Sequence, residues 1–122
     1  MEFSKKIIGS LGEDAAAKWY EENGYLIVER NWRCGKIGEI DIIAEKDEVV
    51  VFSEVKYRKD RNFAEPSLAV NIKKQNKIRV LAGLYLERIT RFSDKFIRFD
   101  VAEVFPKDSG KGLCVNIIED AF

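Results

Sequence analysis

Apolar residues recur at every fourth position near the start of the chain: Ile7, Leu11, Ala15 and Trp19, with Ile8 widening the stripe. This spacing predicts a helix from about Ser4 to Asn23, with Gly24 suited to stop it. The period then shortens. β-Branched and aromatic residues gather in brief runs that predict strands at Tyr25–Arg30, Glu39–Glu45 and Val49–Tyr57. The loop NWRCGK separates the first two, and a tight turn at EKDE makes the second and third an antiparallel hairpin. After the polar stretch RKDRNFAEP comes a long helix, about Ser67 to Ile89, with Pro66 near its first turn. Strands at Phe96–Val104 and Leu113–Glu119 complete the order αβββαββ. That order predicts an α/β fold, a mixed β-sheet flanked by helices.

The hairpin breaks its own apolar pattern. Residues 39–56 read EIDIIAEKDEVVVFSEVK, and Asp41, Glu54 and Lys56 interrupt runs that should be buried. An unpaired charge in such a place is very costly, so these three need partners. Strand alternation puts Glu39, Asp41 and Ile43 on one face of the second strand, and Phe52, Glu54 and Lys56 on one face of the third. If Lys46 and Asp47 form the turn, Asp41 lies opposite Phe52 and diagonal to Glu54. If Asp47 and Glu48 form it, Asp41 faces Glu54 directly. Both registers bring the three charges to one side of the sheet.

Two neighbouring carboxylates repel and require positive charge. Lys56 supplies one unit. A hard divalent cation supplies two, and Mg²⁺ favours oxygen ligands with water completing its shell. A carboxylate-held metal beside a lysine is equipment for phosphodiester hydrolysis. The plain alternative is a structural Glu54–Lys56 ion pair at a sheet edge. Glu13 is a further candidate, because its helical neighbours Gly9, Ser10, Ala16 and Ala17 are small and permit close approach to another surface. Its own alternative is a capping box with Ser10, if the helix starts late.

Composition narrows the chemistry. The chain has 122 residues, 46% hydrophobic and 34% charged, which suits one compact domain, residues 1–122, with one core. No apolar run approaches the roughly 18 residues of a membrane span, and the N-terminus lacks a signal-peptide core, so the expectation is a cytoplasmic protein without membrane association. There is no histidine, which excludes histidine-based triads, general bases and imidazole metal sites. Cys34 and Cys114 form neither a disulfide framework nor a zinc site.

The net charge is zero but unevenly spread. Residues 56–98 hold 12 Lys+Arg against 4 Asp+Glu, and the remainder holds 9 against 17. A basic segment beside an acidic one suggests a phosphate-facing surface next to a carboxylate cluster. The candidates are Arg30 and Arg33 around the first loop, with Asn31 between them. Arg58, Lys59 and Arg61 follow Lys56, and Lys73, Lys74 and Lys77 cluster on the long helix. Trp32 and Tyr57 either stack on bases or pack into the core.

The segment GEDAAAKWYEENGYLIVERNWRCGKIGEIDIIAEKDEVVVFSEVKYR resembles the YraN-like uncharacterised protein family. By its motif that family falls in the Holliday-junction-resolvase-like branch of the PD-(D/E)xK nuclease superfamily. The resemblance runs from about Gly12 to Val104, and its specific parts are GEIDIIA, SEVKYR, the KQ of the long helix and RFDV. It implies a restriction-endonuclease-like core. It implies Asp41 and Glu54 as ligands of Mg²⁺ or Mn²⁺, Lys56 as the catalytic lysine, and Glu13 as the helix carboxylate completing the metal site. The backbone carbonyl of Val55 would be a further ligand, and Gln75 would lie near the site. Ile40 stands where the motif has proline. Ser53 stands where an apolar residue is expected, which signals an edge or a polar contact on that face. The expected function is a metal-dependent endonuclease acting on DNA, on branched or repair and recombination intermediates. Symmetric cutting of two strands would favour a homodimer. The alternative is a non-catalytic nucleic-acid-binding module with the same fold.

Overall fold

The structure, a computed structural model, describes residues 5–59 and 70–122. Helix α1 spans Lys5–Glu22, and strands β1 (Leu26–Cys34), β2 (Gly38–Lys46) and β3 (Val49–Tyr57) follow. Helix α2 spans Ile72–Arg88, a single 3₁₀ turn covers Thr90–Phe92, and β4 (Phe96–Pro106) and β5 (Leu113–Ile118) end the fold. The strands lie side by side in chain order. β1, β2 and β3 are antiparallel, β3 and β4 are parallel, and β5 returns antiparallel to β4. The parallel pair needs a crossover, and α2 supplies it. The fold is α/β, a mixed sheet between two helices, consistent with a restriction-endonuclease-like core.

α1 reaches the sheet through its small residues. Gly12, Ala16, Ala17 and Tyr20 are buried, and they face Ile42, Ala44, Val51, Ala102 and Val104. The stripe expected from the sequence is corrected here: Ile7 and Leu11 are 47% and 44% exposed, while Ala15 and Trp19 are half-buried. Short side chains let the helix backbone approach, which lifts the larger neighbours clear. The Ser10–Glu13 capping box is also overturned, since the helix already starts at Lys5. Ser4 lies outside the described residues.

The opposite face of the sheet packs on α2 through Ile78, Leu81, Ala82 and Tyr85, the spacing of one helical stripe. Ile40, Ile43, Val50, Phe52 and Phe92 complete that core. Asn71 caps the helix by accepting the Lys74 N–H at 2.9 Å, so α2 begins at Ile72 rather than near Ser67. Pro66 and the residues up to 69 lie outside the described residues. Gly38 lets α2 close down: a Cβ there would stand 3.3 Å from Lys77 Cδ, and its φ of 145° disfavours other residues.

The expected loop NWRCGK is largely strand. β1 continues to Cys34, pairing Trp32 with Ile40 and Arg33 with Glu39. Trp32 and Cys34 pack against the α2-side core, Trp32 meeting the Tyr85 ring edge-on at 5.1 Å. That burial outweighs the turn-like composition.

Ser53 is explained by a polar contact. β3 is the central strand, and Ser53 is buried beneath α1. The Tyr20 hydroxyl hydrogen-bonds Ser53 Oγ at 2.9 Å and Asp100 Oδ2 at 2.8 Å. Arg98 donates twice to Asp100 and once to Tyr25, and the Asp120 N–H donates to Asp100 Oδ1. Asp100 is fully buried, and this set of donors satisfies its charge.

Candidate active site

The hairpin register places the acidic pair. Asp47 adopts φ 52°, and Lys46 pairs with Val49, so Asp47 and Glu48 form the turn. The β2–β3 ladder then runs regularly to Ile42 opposite Ser53. The next residue, Asp41, comes level with Glu54. There the backbone pairing gives way to a side chain: Asp41 Oδ2 accepts the Val55 N–H at 2.8 Å. The other neighbour of β2 bends at the same level. Asn31, between the pairs Arg30–Ile42 and Trp32–Ile40, has φ 53°. Asparagine tolerates this conformation better than most residues.

The bend breaks alternation. Ile42 packs on the α1 side and Ile40 on the α2 side, although they are two residues apart. The expectation that Glu39, Asp41 and Ile43 line one face therefore fails at Asp41. Its carboxylate enters the gap where β2 parts from β3, and this brings it to Glu54.

Glu54 is buried at 6% exposure, and Lys74 on α2 pairs with it, Nζ lying 3.5 Å from Oε1. Burial of Asp41 pushes its carboxyl up to about 7. The Glu54 charge and a shared side-chain hydrogen bond add to that rise, while the Val55 N–H and Lys74 oppose it. Lys56, half-buried, lies two residues beyond Glu54 on the same face of β3.

Glu13 approaches from α1. It hydrogen-bonds the Asn31 side chain and lies 4.0 Å from Arg30. Burial raises its carboxyl, and the charges of Asp41 and Glu39 act in the same direction. Among the described residues, no three or more Asp, Glu or Cys side chains assemble into a metal-holding group. The carboxylates brought into contact are Asp41 and Glu54, with Glu13 acting on Asp41 at longer range.

The basic candidates divide by environment. Arg30 pairs with Asp14 at 2.7 Å, and Arg33 with Glu39 at 3.5 Å. Arg58 Nε lies 3.5 Å from the buried Glu103. Lys73 and Lys77 stand exposed on the first two turns of α2, and Lys74 turns to Glu54. The Gln75 amide donates to the Val70 carbonyl at 2.8 Å, which fixes the entry to α2. Tyr57 borders a cleft with Leu11 and Pro106, below α1. Both cysteines are free thiols. Arg61 lies outside the described residues.

Two buried charges lie outside the candidates that the sequence offers, Asp100, held by Arg98 as described, and Glu103. Glu103 has no exposure, takes a hydrogen bond from Asn116 Nδ2 at 3.2 Å, and is the cross-strand neighbour of Lys56. The signal was present: Glu103 interrupts the run FIRFDVAEV as Glu54 interrupts its own.

Residues 12–104 match the family described as Uncharacterised protein family UPF0102. The chain belongs to the UPF0102 family. A UPF0102 protein of Clostridium botulinum (strain 657 / Type Ba4) is 43% identical over 122 residues, covering 100% of this chain and 98% of its own length. A UPF0102 protein of Acetivibrio thermocellus is 42% identical, covering 98% of this chain and 93% of its own. The span that defines this UPF0102 protein contains Glu13, Asp41, Glu54, Lys56, Lys74 and Glu103, the whole charged cluster. No described helix is long and apolar enough to cross a membrane.

Proposed function

We propose that this UPF0102 protein is a Mg²⁺- or Mn²⁺-dependent endonuclease that hydrolyses DNA phosphodiester bonds. Its expected substrates are branched or repair and recombination intermediates. The observation that carries this reading is the buried Asp41–Glu54 pair, in which burial and the neighbouring Glu54 charge push Asp41 up to about 7. Such a pair fits a hard dication. Mg²⁺ takes one or two carboxylates and keeps several waters, so a trio of side chains is not required. Asp41 and Glu54 would hold the ion, and the Val55 carbonyl would add a backbone oxygen. When bound, the ion would polarise the phosphate and lower the pKa of water.

The chain's own groups would do the rest. Water adds to phosphorus in line, and the bond to the leaving oxygen breaks. Lys56 stands beside the pair and offsets the negative charge that develops on the phosphoryl oxygens. Lys73, Lys77 and Arg58 would bind flanking phosphates, which gives affinity without sequence preference. Two protomers acting together would cut both strands of a symmetric substrate.

The test is cleavage of labelled four-way junction, flap, duplex and single-stranded DNA, with Mn²⁺, Mg²⁺ or chelator. Metal-dependent cutting is expected. Asp41→Ala or Lys56→Ala should reduce it at least about a hundredfold while leaving the fold intact. DNA binding with no cutting above the Asp41→Ala background would overturn the nuclease and favour the binding module.

A further inference from the structure

Lys74 is the residue left without a role once Asp41, Glu54 and Lys56 are assigned, yet it makes the direct ion pair to the site. Its Nζ lies 3.5 Å from Glu54 Oε1, with Glu54 almost wholly enclosed and Lys74 partly open to solvent. The backbone beneath it is fixed at both sides. Asn71 accepts the Lys74 N–H, and Gln75 donates to Val70. The lysine is therefore delivered from a rigid first helical turn, and only its flexible stem moves. On its exposed flanks stand Lys73 and Lys77.

Counting charge decides what happens there. The charged forms of Asp41 and Glu54, with Lys74 paired to Glu54 and Lys56 two residues along the same strand face, sum to zero. A dication added to that set gives a surplus of two positive charges in a poorly solvated place, where like charges repel strongly. The cation already paired with the carboxylate that takes the metal is the one that leaves, and Lys74, its side chain 43% exposed against 8% for that of Glu54, can carry its charge into solvent. Its stem can swing toward Lys73 and Lys77, where a phosphate would meet it.

We propose that Lys74 is an internal counter-ion for Glu54 that a divalent cation displaces, and that the displaced lysine becomes a phosphate ligand. Metal and nucleic acid then bind cooperatively through one side chain. This inference rests on the metal-site reading above, and its test separates the two.

Mn²⁺ binding is measured by calorimetry and by melting-temperature shift on chelator-stripped protein, without nucleic acid. Wild type, Lys74→Met, Lys74→Arg and Asp41→Asn are compared. Wild type should bind, and Asp41→Asn should lose binding. Lys74→Met should bind about five- to tenfold more tightly, since the competing ion pair is gone. Lys74→Arg, which keeps the charge, should stay near wild type. A second readout is the salt dependence of binding to a DNA duplex in chelator and in Ca²⁺. The log–log slope should steepen by about one phosphate contact on adding Ca²⁺ in wild type but not in Lys74→Met. Equal or weaker Mn²⁺ binding by a folded Lys74→Met, with Asp41-dependent binding in wild type, overturns the counter-ion role alone. Absence of Mn²⁺ binding in wild type overturns both it and the metal site. If Lys74→Met fails to fold, Lys74→Gln is read against the same expectations.

Discussion

Asp41 is pulled in two directions. Burial and Glu54 favour its protonated form, and the Val55 N–H and Lys74 favour the charged one, with the first pair prevailing. The native carboxyl therefore holds its proton to about pH 7, whereas the unfolded one releases it in the ordinary carboxylate range. Between those values the folded chain binds more protons, so stability is greatest below the unfolded value and falls as pH rises through about 7. In Asp41→Asn the amide oxygen can still accept the Val55 N–H, and the titration is gone. Denaturant unfolding in chelator from pH 5 to 8 should show wild-type stability declining and the variant nearly flat; parallel declines would contradict the assignment. At this scale the sequence was informative wherever a charge interrupts an apolar run. Asp41, Glu54 and Lys56 stand out by that rule, and Asp100 and Glu103 obey it too. The left-handed Asn31 was not legible, because its conformation follows from strand bending and not from local composition.

Element boundaries followed the same division. β3 matches its expected limits because β-branched residues and a polar turn agree there. β1 runs beyond its expected end at Arg30, since Asn31 and Gly35 have loop-like composition while Trp32 packs on Tyr85. α1 is the helix its periodicity predicts, but its buried stripe differs from the expected one, because Ile7 and Leu11 carry the visible periodicity while Gly12, Ala16 and Ala17 make the contact. Gly12 tests this. A Cβ there would meet Val55 Cγ1 at 3.8 Å and Val104 at 3.9 Å, ordinary contact distances. Gly12→Ala should therefore stabilise the protein by about 0.5–1 kcal/mol through helix propensity. Ala16→Leu, in the fully buried stripe, should cost about 1–3 kcal/mol by overpacking. Melting curves decide both, and a stabilising Ala16→Leu would refute the close helix–sheet packing.

Across the whole molecule, the charge imbalance seen along the chain takes a place in space. The parallel β3–α2–β4 crossover carries Glu54, Lys56, Arg58 and the lysines of α2 to one side of the sheet. The class of fold and the element order were legible from periodicity. The strand order and the Lys74–Glu54 pairing were not, because they depend on where α2 lands. If this side binds DNA, affinity should fall steeply with salt, and the double variant Lys73→Gln, Lys77→Gln should lower the log–log slope by roughly two phosphate contacts. An unchanged slope would move the interface elsewhere.

The most direct measurement is anomalous scattering from a crystal of the protein soaked in Mn²⁺. The ion should appear between Asp41 and Glu54 with the Val55 carbonyl among its ligands, and Lys74 should have left Glu54. No ion at that position, with Lys74 still paired to Glu54, would contradict the assignment of this site as a metal centre.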